Sequence, residues 1–320
     1  AGWVLAQWAA TGEAPMDLWV VDIRRFSNLH HDRNWVCART LEAYGKHYTI
    51  AFPHEEYASG RPCIVSPLYE RLNHRNAVFG SKLGWERPNW FAPAGVEPRD
   101  AYAMGRQNWF EHVGREHRAA RERAALFDQS SFAKFELKGQ GAAQALSEIC
   151  ANDVTRPPGR LTYTQLLNSR GGIECDLTVA RLADDHFYIV TGTGFRTHDG
   201  AWIKDHMPAH LDTDFTDVTE HWGTLSLMGP EARKILAAVT PADVTNAALP
   251  FGHCREITIA GHRVRALRIT YVGELGFELH MPITAAGDVF DALMTAGAPL
   301  GLELAGYRAI DSLRLEKAYR

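Results

Sequence analysis

Hydrophobic positions change period along this chain, and each change marks an element. Val4, Leu5, Trp8 and Ala9 fall at helical spacing, and Thr11-Gly12 supplies a stop, which predicts a short N-terminal helix. Leu18-Trp19-Val20-Val21-Asp22-Ile23 reads as an extended apolar stretch. A second helix is predicted from Asn34 to about His47, with Val36, Leu41 and Tyr44 on one face. Phe52-Pro53 and Arg61-Pro62 make residues 52–66 an irregular connection, and Leu68 to Asn73 a short helix follows it. Residues 78–91 place large aromatics between Gly and Pro and read as a packing segment at a domain seam; Pro93 to Pro98 reads as a linker. Beyond residue 108 the periods alternate. Strands are predicted at 127–137, 163–167, 177–182, 187–191, 224–228, 257–259, 264–271 and 276–281. Helices are predicted at 112–125, 139–149, 197–207, 286–296 and 307–317, with another opened by Gly229-Pro230-Glu231. Antiparallel runs interleaved with packed helices predict an α+β fold rather than a doubly wound sheet.

Composition narrows the function classes. The 320 residues can hold two domains, and 46% hydrophobic with 22% charged residues is ordinary for a globular protein. Lys+Arg 34 against Asp+Glu 38 gives a net charge of −4, with no general field for nucleic acid or an anionic membrane. No run of 18 apolar residues occurs, so membrane insertion is not expected. The five cysteines are scattered without a CxxC, and the 15 histidines without HxxxH or HExxH, so no metal is expected and free thiols are. Cys175, among acidic neighbours, reads as a small strand residue. There is no Walker lysine, no serine elbow and no complete dinucleotide fingerprint. The chain opens inside a helical pattern and ends without a stop signal, and reads as a piece of a longer protein.

The chemistry concentrates in Asn168-Ser169-Arg170-Gly171-Gly172-Ile173-Glu174-Cys175-Asp176-Leu177-Thr178-Val179. A Gly-Gly turn joins two apolar strands and leaves Asp176 near the start of the second. Spacing alone leaves two uses for Asp176, a hairpin cap or a rigidly held reactive carboxylate. The second informative segment is Tyr271-Val272-Gly273-Glu274-Leu275-Gly276-Phe277-Glu278-Leu279. With Phe127-Asp128-Gln129-Ser130-Ser131-Phe132, Gly229-Pro230 and Asp311-Ser312-Leu313-Arg314, these segments resemble the folate-binding aminomethyltransferase (T-protein) of glycine cleavage. The resemblance is nearest to the version fused behind a flavin oxidase in sarcosine and dimethylglycine dehydrogenases.

That resemblance implies a domain plan. Residues 1–35, through Trp19 to Phe26, look like the end of an FAD-dependent oxidoreductase domain. Residues 36–92, through Phe52-Pro53-His54-Glu55 and Gly84-Trp85-Glu86-Arg87-Pro88, look like its connecting domain; residues 93–320 look like the folate domain, truncated at its C-terminus. It also implies an activity. FAD, bound by a domain missing from this chain, oxidises an N-methyl amine and passes electrons to an acceptor, and the one-carbon unit goes to tetrahydrofolate. Asp176 matches the catalytic carboxylate, Glu278 the carboxylate that holds the pterin edge, and Tyr271 a folate-contacting aromatic. Phe132, Tyr188 and Val190 match pocket-lining positions. Gly192 and Ile310 replace an Asn and an Arg of the stand-alone enzymes, with Arg308 two residues before Ile310. The amine leans toward sarcosine, the alternatives being dimethylglycine or another N-methyl amine, with an oxidase rather than a dehydrogenase, or a non-catalytic folate module. The compartment implied is the cytoplasm for a bacterial protein and the mitochondrial matrix for a eukaryotic one.

Overall fold

The computed structural model describes residues 1–319. Helices α1 (Gly2–Thr11) and α2 (Arg33–Lys46) open the chain and bury no residue. The Leu18–Ile23 stretch between them is not extended. It forms single 3-10 turns at Trp19–Val21 and Ile23–Arg25. The cause is local: Asp17 and Asp22 each accept the backbone N–H two residues on, from Trp19 and Arg24, both at 2.8 Å. Such side-chain turns compete with strand pairing, and Val20, Val21 and Ile23 gain no sheet partner and stay exposed. Leu41 and Tyr44 on α2 are likewise exposed, so its expected apolar face is not buried here.

After α3 (Tyr69–Asn73), the aromatic segment folds as a hairpin of β1 (Ala77–Lys82) and β2 (Trp85–Phe91). Then follow α4 (Phe110–Glu122), β3 (Ala124–Asp128), β4 (Ala133–Lys138), α5 (Ala142–Ile149), β5 (Leu161–Leu167), β6 (Ile173–Ala183), β7 (His186–Thr191) and α6 (Arg196–His206). The chain continues through β8 (Asp214–Asp217), β9 (Trp222–Met228), α7 (Ala232–Val239), β10 (Cys254–Ile259), β11 (His262–Leu267), β12 (Gly276–Pro282), α8 (Ala286–Gly297), β13 (Leu302–Leu304) and α9 (Tyr307–Glu316). The expected α+β class stands.

Two large sheets carry the fold: six strands in the order β10-β11-β12-β9-β3-β13 and five in the order β5-β6-β7-β4-β8. All pairs are antiparallel except β13 with β3. Strand alternation sorts each sheet into two faces. Leu225, Leu227, Phe277, Leu279 and Met281 pack under α7 and α8. Phe135, Leu177, Val179, Phe187 and Ile189 pack with residues of α5 and α6. Each such side chain, fully buried, stabilises by about 1.5–3 kcal/mol relative to exposure. The opposite faces look toward one another, meeting through Leu161, Ala180, Tyr188, Val190 and Leu267. Polar residues of β9, β11 and β12 point into that seam, and it positions the site.

Candidate functional site

The β5–β6 turn is capped by Asn168, not Asp176. Asn168 Oδ1 accepts the N–H groups of Arg170 (3.0 Å) and Gly172 (2.9 Å), and its Nδ2 donates to Glu174 Oε1 (2.7 Å). Gly171 supplies the positive φ of +78° that this turn needs. Asp176 lies within β6, opposite Gln165. Its neighbours Cys175 and Leu177 point into the core, so alternation puts the carboxylate on the face of β6 that carries Ala180 into the seam, at an exposed position. The Tyr163 hydroxyl donates to Asp176 Oδ2 at 2.7 Å. Burial, then the neighbouring Asp176 carboxylate, push the Tyr163 phenol up to about 12, so it remains a donor at neutral pH. Burial also raises the Tyr271 phenol, and the Asp176 charge acts in the same direction, which sets the two groups in one electrostatic neighbourhood.

Glu278 faces the seam from β12, opposite Ser226 of β9 and Leu267 of β11. It is 5% exposed. No N–H or O–H group among the described residues donates a normal hydrogen bond to it; the nearest basic atom, His280 Nε2, stands at 3.5 Å. Tyr188 is fully buried behind this point, its hydroxyl 3.0 Å from His280 Nδ1. Val190 is buried beside it in the seam. Phe132 touches both the seam cluster of Tyr188 and Val190 and the neighbouring cluster that includes Tyr271, so it bridges the two halves of the expected site.

Arg308 is placed apart from these. Its guanidinium pairs through both ends with Asp100, at 2.7 and 2.8 Å, and lies 3.4 Å over the Trp109 ring. Trp90 Nε1 also donates to Asp100 (2.8 Å). This ties α9 to the segment after the β1–β2 hairpin and occupies the charge that the sequence offered to a ligand. Of the two departures, Ile310 is a core residue of α9, and Gly192 opens the turn before α6, where an added Cβ would touch the Phe195 ring at 3.4 Å.

Sequence reasoning missed Tyr163, Lys134 and His280. Tyr163 could have been found as the diagonal neighbour of Asp176, two residues before its partner Gln165 on β5, and His280 as the residue two beyond Glu278 on one strand face. Lys134 gave no signal. It is fully buried, with Nζ donating to the carbonyls of Ser130 (2.6 Å) and Trp222 (2.9 Å), and burial lowers its pKa to about 7. Cys175, His198 and Asp199 lie with ligand-type atoms within 4.8 Å of one another. Asp199 already accepts from Thr191 (2.6 Å) and pairs with His198 (2.9 Å), and burial raises the Cys175 thiol, so the group braces β6 against α6. Two surface recesses, of about 420 and 640 Å³, are lined by other residues than Asp176, Tyr271 and Glu278.

Comparison with known proteins fits this geometry. Residues 68–320 match the family described as GCVT N-terminal domain, and residues 11–66 match the FAD dependent oxidoreductase central domain. The chain is 40% identical to a 4-methylaminobutanoate oxidase (formaldehyde-forming) of Paenarthrobacter nicotinovorans, over 99% of this chain and 38% of that protein. It is 38% identical to human mitochondrial sarcosine dehydrogenase, over 100% of this chain and 39% of that protein. It thus spans about two fifths of the length of these curated relatives. Among solved structures, the glycine cleavage system aminomethyltransferase T from Bartonella henselae superposes with a TM-score of 0.65 at 29% identity, covering 79% of this chain and 62% of that one. With a match over most of its length, the chain belongs to the GCVT N-terminal domain family, here joined to an FAD dependent oxidoreductase central domain.

Proposed function

We propose that this chain is the folate-binding part of an FAD-dependent N-methyl amine dehydrogenase, which passes the one-carbon unit of the oxidised amine to tetrahydrofolate. The observation that carries the reading is Glu278, a carboxylate buried in the inter-sheet seam without a hydrogen-bond donor of its own. A buried charge without partners is costly. The amino-pyrimidine edge of a reduced pterin offers adjacent N–H donors, which a carboxylate accepts in pairs. The carboxylate acceptor therefore fits the ligand. Glu278 would hold that edge, with Tyr271 and Phe132 lining the approach and Tyr188 and Val190 packing behind.

Asp176 has the properties the transfer needs. The oxidised amine is a cationic methylene iminium. When the methylene carbon bonds to the two folate nitrogens, each nitrogen loses its hydrogen and the carbon–amine bond breaks. Both hydrogens end on the departing amine, and 5,10-methylenetetrahydrofolate remains. An exposed carboxylate can accept one proton and stabilise the cation. The Tyr163 hydroxyl fixes its orientation. The flavin that oxidises the amine is assigned to sequence beyond these residues, and the amine to sarcosine or a close N-methyl analogue.

A second reading has one specific observation in its favour, a relative whose name specifies formaldehyde formation. There the one-carbon unit would be released to water. The deciding experiment supplies the full-length enzyme with amine and tetrahydrofolate and measures 5,10-methylenetetrahydrofolate against free formaldehyde. A product mixture dominated by methylenetetrahydrofolate is expected. Formaldehyde as the sole product at saturating tetrahydrofolate would overturn the transfer reading.

A further inference from the structure

His280 shares the seam face of β12 with Glu278, two residues on, and is fully buried. Its surroundings are specific. Nδ1 is 3.0 Å from the Tyr188 hydroxyl and 3.1 Å from Thr224 Oγ1. Nε2 has no hydrogen-bond partner among the described residues and faces Glu278 Oε2 at 3.5 Å. Nε2 faces a carboxylate oxygen, which an N–H suits and a lone pair does not, whereas the Tyr188 and Thr224 hydroxyls at Nδ1 can both donate, so Nδ1 is assigned as the acceptor. A neutral imidazole carries one proton; with Nδ1 accepting, the proton sits on Nε2 and points at Glu278. Burial holds the imidazole neutral by lowering its pKa. The result is a directed chain, Tyr188 O–H to His280 Nδ1, His280 Nε2–H toward Glu278.

We propose that His280 is the positioning residue for Glu278, orienting the carboxylate so that its remaining lone pairs receive the pterin edge, and that Tyr188 acts by fixing the His280 tautomer. The proposal rests on the folate reading above. It also gives Tyr188, which is shut away from any ligand, a defined part in binding. One N–H toward one carboxylate oxygen leaves the rest of the carboxylate free for a second set of donors. A hydrophobic side chain in place of His280 would leave Glu278 unoriented as well as unpaired. A glutamine would return an N–H donor near the position of Nε2.

The test uses the full-length enzyme and titration calorimetry with tetrahydrofolate, with thermal unfolding to confirm that each variant is folded. His280→Leu is expected to raise the dissociation constant by about tenfold, the effect of losing the polarised N–H that faces the carboxylate. His280→Gln is expected to recover most of that loss, and Tyr188→Phe to lose about three- to tenfold, the size of a neutral hydrogen bond. Turnover at saturating tetrahydrofolate should change little beside the Michaelis constant, a split that general loosening of the core would not give. Equal binding by His280→Leu and wild type would overturn the proposal. So would equal losses in His280→Leu and His280→Gln. If His280→Leu does not fold, Tyr188→Phe, which removes only a hydroxyl, decides: unchanged affinity overturns the proposed chain. A wild-type enzyme that binds no tetrahydrofolate would instead overturn the folate reading itself, so the two failures are distinguishable.

Discussion

Glu116 and Glu278 are both buried, in two regions of this protein that treat a glutamate in opposite ways. Glu116 projects from α4 toward the end of β2 and the start of α9, fully buried, and its two oxygens accept the backbone N–H groups of Phe91 (2.7 Å) and Gly306 (2.9 Å). It is a strut: both oxygens are spoken for by backbone that must be tied down anyway. Glu278, in the seam between the sheets, is nearly as buried and has only the His280 imidazole at 3.5 Å. The difference teaches how to separate a structural carboxylate from a binding one. Burial alone does not distinguish them; the donors within reach do. Asp176 completes the contrast as a carboxylate left exposed, oriented by a single hydroxyl, suited to exchange a proton rather than to hold a partner.

The contrast can be broken most forcefully at Asp176. Asp176→Ala in the full-length enzyme should lower the ratio of 5,10-methylenetetrahydrofolate to formaldehyde by about 10²-fold or more, the usual size of a general acid–base contribution. An unchanged ratio would return Asp176 to the role of an ordinary strand residue. Arg308→Ala should act on stability instead. It leaves Asp100 with the Trp90 N–H and a long contact from the Tyr102 hydroxyl, at a cost of about 3 kcal/mol, the low end for breaking a buried ion pair. Denaturant unfolding should show that loss while tetrahydrofolate affinity stays within about threefold of wild type, a change worth less than 1 kcal/mol; a loss of affinity without a loss of stability would restore Arg308 to the folate site.

Glu116 sharpens the comparison through pH. Burial raises its pKa to about 8 against an ordinary 4.5. A carboxyl whose folded pKa is raised contributes stability fully present below about 4.5 and lost as pH rises through about 8. Between pH 6 and pH 9 the wild type should therefore lose about 2–3 kcal/mol relative to Glu116→Gln, whose side chain does not titrate. Parallel stability curves for the two proteins would show that Glu116 is charged throughout. The smallest effect belongs to Tyr163→Phe. Loss of its hydrogen bond to Asp176 should slow one-carbon transfer about two- to tenfold without weakening folate binding; unaltered transfer would show that Asp176 needs no such orientation.

Much of this was legible in the sequence because the signals are periodic. Alternation along 177–182, 187–191 and 276–281 identified strands and their buried faces, and the Gly-Gly turn located the hairpin that carries Asp176. What failed had competing local chemistry or long-range partners. Leu18–Ile23 reads as extended by hydrophobicity, and Asp17 and Asp22 turn it. Arg308 reads as a free charge because Asp100 lies 208 residues away. Asp176 could not be told from a cap until Asn168 was seen to satisfy the turn. His280 and Lys134 take their meaning from strands brought together by the fold, and nothing in their own neighbourhoods in sequence gives it.

The division between a binding carboxylate and a reacting one is tested most directly by titrating tetrahydrofolate into Glu278→Gln and Asp176→Ala side by side in the full-length enzyme. Glu278→Gln sets an amide N–H against the pterin donors and should raise the dissociation constant by about 30- to 150-fold, or roughly 2–3 kcal/mol. Asp176→Ala should leave it within about threefold of wild type, because its contribution belongs to the transition state. Wild-type affinity in Glu278→Gln, or a large loss in Asp176→Ala, would contradict the account.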